Sequence, residues 1–140
     1  ITMSIRDRLS QIASRVRSDF TIESFIGDRF KAHWSVQSAD FPRATFSVIT
    51  SQPMDTLGGD IASDTFHMTL QISIFAEKKY ETVLQIASAM RRRLHGWSEG
   101  DIGSMRLTDQ TDITNDPQGS DIPIYGIEQD YSVWMEAHNA

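Results

Sequence analysis

The chain of 140 residues has no cysteine, which excludes a disulfide framework, a thiolate zinc site, an iron–sulfur cluster and a thiol nucleophile. Basic residues are in deficit, 13 Lys and Arg against 19 Asp and Glu, for a formal net charge of −6. Wrapping nucleic acid needs several cations converging on phosphates, so that class is disfavoured. Long apolar runs are missing as well. Ile1-Thr2-Met3-Ser4-Ile5 meets Arg6-Asp7-Arg8 at once, which predicts neither the apolar stretch of a signal peptide nor a membrane span. What is present is 39% hydrophobic residues, on a length that lets a chain bury roughly two thirds of its unfolded surface. The expectation is one domain over residues 1–140, with a single core.

The charge is unevenly spread. Residues 1–50 carry +2, residues 51–98 are neutral and residues 99–140 carry −8. An acidic stretch is most simply a solvated surface that keeps the protein soluble. The sharper reading is a polarity between two faces of an assembly.

Along the chain, Ile5, Leu9, Ile12, Ala13, Val16 and Phe20 recur at the spacing of one helical face, predicting an amphipathic helix from Ser4 to Phe20. Thr21 offers a cap for a second, short helix that Gly27 stops. Lys31–Asp40 reads as polar and irregular, and Ala44–Thr50 as the first strand. The paired glycines within Ser51–Asp64 predict a long hairpin loop. In Thr65–Phe75, Phe66, Met68, Leu70, Ile72 and Ile74 alternate with polar residues, the pattern of a strand in an antiparallel sheet covered on one side. Lys78–His95 is a second amphipathic helix. A short strand follows around Met105–Thr108. In the last, Ile124–Glu136, Tyr125, Ile127, Tyr131, Val133 and Met135 alternate with Glu128, Asp130, Ser132 and Trp134. The fold class is therefore α+β, an antiparallel or mixed four-stranded sheet with helices packed on one face, in the order α-α-β-β-α-β-β.

No motif demands catalysis. Gly96-Trp97-Ser98-Glu99-Gly100 matches the string of a hydrolase nucleophile elbow, but a helix precedes it and a strand follows, the reverse of the required context. A calcium loop starting at Asp112 would put Pro117 at its glycine position and Pro123 at its terminal acid. His33, His67, His95 and His138 lack the spacing of a helical zinc pair. His67 alone faces the wet side of its strand, beside Thr69, Gln71 and Ser73, and supports a minor alternative, a small ligand-binding domain or enzyme with His67 in a cleft. Arg91-Arg92-Arg93 sits in the last turns of the second long helix, where it favours the negative helix end. No catalytic, cofactor or metal residue is assigned.

The arrangement as a whole resembles the tail-completion, or tail-terminator, proteins of bacteriophages with long flexible tails. Gly27-Asp28-Arg29-Phe30 looks like that family's Gly-x-Arg-hydrophobic step, and Phe41-Pro42-Arg43-Ala44-Thr45-Phe46-Ser47-Val48 its proline-led first strand. Phe66–Phe75 running into Lys78–Leu94 is similar to its central strand-then-helix unit. Thr111-Asp112-Ile113 with Ile124–Trp134 resembles its closing hairpin. Lys31–Asp40 is longer than the family pattern, and Ser51–Asp64 has no residue-by-residue match.

The resemblance implies a structural virion protein, not an enzyme. It would form a ring, usually a hexamer, at the head-proximal end of the tail tube, assembled in the cytoplasm of a bacterial host. There it would stop tube growth and offer a docking surface for the head. The implied partners are other copies of the chain, the tail tube protein and a head–tail connector or stopper, with DNA passing through the lumen without specific binding, and with no membrane and no cofactor. A connector stopper or adaptor is the alternative within the same class. Glu128 and Asp130 are candidate lumen-facing acids. Arg91, Arg92, Arg93, Met54, Leu57, Gly58 and Gly59 are candidates for the contact with a neighbouring subunit or the tube.

Overall fold

The structure, a computed structural model, describes residues 4–32, 41–53, 65–77, 79–100, 102–114 and 123–136. Ser4 starts helix α1 (Ile5–Arg17) through a capping box: its side chain accepts from the Asp7 N–H while the Asp7 carboxylate accepts from the Ser4 N–H. The helix buries Ile12, Ala13 and Val16, the stripe its spacing predicts. It stops at Arg17, with Ser18 as its C-cap, and does not continue to Phe20. Asp19 then caps α2 (Phe20–Ile26), its carboxylate accepting from the Ile22 N–H at 3.0 Å. The cap is thus Asp19 and not Thr21. The break also moves Phe20 off the apolar stripe of α1 and leaves it 83% exposed. Gly27, at φ 57°, closes α2 in a backbone conformation that favours glycine.

Five strands follow where the sequence predicts four. They are β1 (Phe30–Ala32), β2 (Arg43–Pro53), β3 (Thr65–Glu77), β4 (Arg106–Asp112) and β5 (Ile124–Glu136), with helix α3 (Tyr80–Leu94) between β3 and β4. The sheet order is β1-β2-β3-β5-β4. β1 runs parallel to β2 and every other pair is antiparallel, so the sheet is mixed. The element order becomes α-α-β-β-β-α-β-β. β1 is missed in the sequence because three residues are too few to display an alternation, and Lys31 at its centre reads as the start of a polar loop. β2 and β4 each carry a bulge, after Val48 and after Leu107.

β3 is the spine. Along its whole length Phe66, Met68, Leu70, Ile72, Ile74 and Ala76 are buried, while the residues between them are only half-buried. Fully burying one such large aliphatic side chain contributes about 1.5–3 kcal/mol. α3 packs on β3 and β5, and α1 and α2 pack on α3, so the core is the layer between these helices and one face of the sheet. Among the described residues no helix covers the opposite face, called the open face below, although its β3 residues are half-buried.

One close approach crosses that open face. A Cβ built on Gly126 of β5 would lie 2.8 Å from Ile113 Cγ1 and 3.1 Å from Phe75 Cδ1. Gly126→Val is therefore expected to destabilise the protein by about 1–3 kcal/mol through overpacking, seen as a lower midpoint in thermal or urea denaturation. An unchanged midpoint would mean that Ile113 and Phe75 move aside freely.

Candidate functional site

The open face is assembled by strand register. Thr69 of β3 lies between Thr50 and Ser132, Gln71 between Ser47 and Asp130, and Ser73 between Thr45 and Glu128. β4 extends these rows, with Asp109 beside Asp130 and Thr111 beside Glu128. The result is a face of hydroxyls and amides, half-buried along β3 and closed at Thr45, that turns acidic toward β4. Both predicted lumen acids, Glu128 and Asp130, sit on it and are half-buried. Like charges directly opposite each other repel, and at the Asp109–Asp130 pair the Gln71 amide donates to Asp130 Oδ1 at 3.2 Å.

His67 lies on the same face. Its Nε2 is 2.7 Å from Ser132 Oγ, and its ring packs on Trp134 with centroids 4.7 Å apart. That distance suits a serine–base pair. Both residues, however, lie on interior strands: β3 is paired with β2 and β5, and β5 with β3 and β4. Neither residue lies at a helix N-terminus, where free N–H groups would face an oxyanion. The geometry provides a polar contact surface with an aromatic edge, Trp134 being 44% exposed.

The arginine triplet divides. Arg93 turns toward α1, its Nε donating to the Arg15 carbonyl at 2.8 Å and its terminal nitrogen to Ser18 Oγ at 2.7 Å. Arg15 reciprocates to the Arg93 carbonyl at 3.3 Å and lies over the Trp97 ring, 5.2 Å from its centroid. Each arginine thus meets the negative C-terminal end of the other's helix. Arg91 and Arg92 are exposed. Arg92 borders a shallow groove of about 570 Å³ between α2 and α3, lined also by Thr21, Phe25, Leu84, Gln85 and Ser88. The remaining interface candidates, Met54, Leu57, Gly58 and Gly59, lie outside the described residues, as do His33 and His138.

Sequence reasoning missed a buried polar chain. Gln129 is fully buried among the apolar inward residues of β5, where it donates to the Ala87 carbonyl of α3 at 3.1 Å and to Gln110 Oε1 at 2.9 Å. The Tyr131 hydroxyl donates to Gln129 Oε1 at 2.8 Å, and burial pushes its pKa well up. The signal was available, since Gln129 occupies an odd position between Ile127 and Tyr131. A second tie joins α3 to β4. The Tyr80 hydroxyl donates to Asp112 Oδ2 at 2.7 Å, and hydrogen bonds from Thr114 and Tyr80 hold the Asp112 carboxyl below its ordinary range.

Among the described residues no group of three or more His, Asp or Glu is placed to hold a metal ion, and no helix is long and apolar enough to cross a membrane. No protein-family model matches the chain, and no curated protein matches it. Among solved structures, the fold is shared with a chain described as "Virion of native gene transfer agent (GTA) particle", with a TM-score of 0.62 at 14% identity over 90% of this chain and 92% of that one.

Proposed function

We propose that this protein is a structural component of a phage-like virion, and within it the tail terminator: a ring at the head-proximal end of the tail tube that ends tube growth and receives the head. The observation that carries the reading is the shared fold with a chain of a gene transfer agent virion, which spans nearly the whole of both chains. The motif resemblance supports the narrower assignment to the terminator position. The role is recognition rather than reaction, and a polar sheet face suits contact with other proteins better than the apolar enclosure of a small substrate.

The charge distribution fits a ring. Six copies carry a formal charge of about −36, six times the −6 of one chain, and acids facing the lumen discourage DNA from adhering in transit. Glu128 and Asp130 are the residues assigned to that lining. A head-to-tail ring joins two different surfaces of the chain, and exposed Arg91 and Arg92 are available to meet an acidic neighbour.

Native mass by light scattering coupled to size exclusion, measured across concentration and followed by negative-stain imaging, tests the reading. The expected result is a ring of about 95 kDa, six copies of the 15.8 kDa chain, whose assembly weakens with salt. A monomer or dimer at every concentration would overturn it. If charge reversal at Arg91 and Arg92 leaves a ring intact at both low and high salt, the ring stands but the assignment of these arginines to its contacts fails.

A further inference from the structure

The two edges of the sheet differ. β1 pairs only with Ala44, Thr45 and Phe46 of β2, so among the described residues no backbone pairs with the outer edge of β2 from Ser47 to Pro53. Edge strands usually carry charged residues that discourage further pairing. This stretch has none, and it holds two exposed β-branched residues, Val48 at 36% and Ile49 at 49%. The Ala44 N–H donates outward to the Arg29 carbonyl. Alternation along 44, 46 and 48, regular until after Val48, turns the Val48 N–H to the same outer edge.

At the opposite edge, β4 pairs with β5 alone. The Ile113 N–H donates to the Gly126 carbonyl, so the Asp112 N–H turns away from β5, as does that of Gln110, which donates to Asp109 Oδ1 at 3.0 Å. β4 is seven residues long, as is Ser47–Pro53, and its charges Arg106, Asp109 and Asp112 guard it against a second β4 but meet no like charge on that uncharged stretch of β2.

Strand direction decides how two such edges fit. β2 and β5 run one way, β3 and β4 the other. Copies related by rotation about an axis along the strands therefore bring β4 of one antiparallel to β2 of the next. That direction sets the Asp112 end of β4 at Ser47, where β1 stops, beside the exposed Lys31. A parallel approach would put Arg106 there instead, a like charge. The bulges on both strands supply the local bend that a closed wall requires.

We infer that a second copy of this chain occupies the β2 edge that no described residue pairs with: β4 of one subunit pairs antiparallel with Ser47–Pro53 of the next, joining the sheets into one continuous wall. The inference rests on the ring reading above and names its contact. The contact is heterologous, so it propagates around a ring and does not stop at a symmetric pair.

Two edge-blocked variants test it. Val48→Pro and Asp112→Pro each remove an outward N–H and leave the internal ladder its own bonds, and Asp112→Ala, which loses the tie to Tyr80 but keeps the N–H, is the control expected to assemble as the wild type does. Alone, each proline variant is expected to stay a 15.8 kDa monomer. Mixed in equal amounts, they retain one good edge each and are expected to form a heterodimer of about 32 kDa and nothing larger. Circular dichroism confirms that each is folded. If a proline variant does not fold, Ile49→Lys on β2 or Thr111→Lys on β4 replaces it in the same mixing test. Rings that persist in either variant alone, with the wild type also forming rings, overturn the edge pairing and leave the ring reading standing. Blocked monomers that do not pair when mixed also overturn it. A wild-type chain that never assembles overturns both.

Discussion

Ile72→Ala is expected to cost about 2–5 kcal/mol and to lower the thermal midpoint by on the order of 10 °C. Ile72 is fully buried at the middle of β3, with Phe46 beside it on one neighbouring strand and Gln129 on the other. The strand is held on both flanks by backbone pairing, so the surrounding side chains cannot collapse inward to fill the space, and the cavity adds to the lost transfer energy. Ile72→Val removes a single methylene and should cost about 0.5–1.5 kcal/mol. Urea denaturation of the two variants against wild type checks both values. Equal, small effects would mean that this layer is loosely packed.

The second large effect lies in the polar chain beneath α3. Gln129→Leu deletes the acceptor of a Tyr131 hydroxyl that has no exposure to water. A buried donor left without a partner costs about 1–3 kcal/mol. The Ala87 carbonyl, which also loses Gln129, lies inside α3, where the helix supplies its own N–H. Gln129→Leu together with Tyr131→Phe removes donor and acceptor at once, so the double variant is expected to recover most of the loss. A double-mutant cycle in urea measures the coupling. Strictly additive losses would show that the tyrosine hydroxyl finds another acceptor.

The parts of this fold legible in the sequence are those with long periodic patterns. β3 shows six alternating buried positions, β5 is bounded as its alternation predicts, and α3 falls two residues inside the predicted start and one inside the end. Where the pattern is short, other forces decide. β1 forms because Phe30 packs into the core and stacks on Phe46 with ring centroids 5.1 Å apart, a tertiary contact with no local signature. The break after Arg17 follows from Ser18 and Asp19 offering caps that outweigh one more apolar residue at Phe20. At the candidate surfaces, period two places Glu128 and Asp130 on the open face directly. The division of labour among Arg91, Arg92 and Arg93 was not legible, because it depends on where the end of α1 lies, more than seventy residues away in sequence.

The sheet order also sets a schedule for biosynthesis. β4 is made before β5, yet β5 inserts between β3 and β4 and is the strand that pairs with both. Until Ile124–Glu136 leaves the ribosome, β3 presents a naked edge and β4 has no place in the sheet. α3 is complete earlier, but half of the surface it covers does not yet exist. A nascent chain at that stage is a hairpin with helices attached and an open apolar side, a form prone to bind its own kind or a chaperone. Release of β5 closes the core and leaves the outer edges of β2 and β4 as the strand edges that no described residue fully pairs.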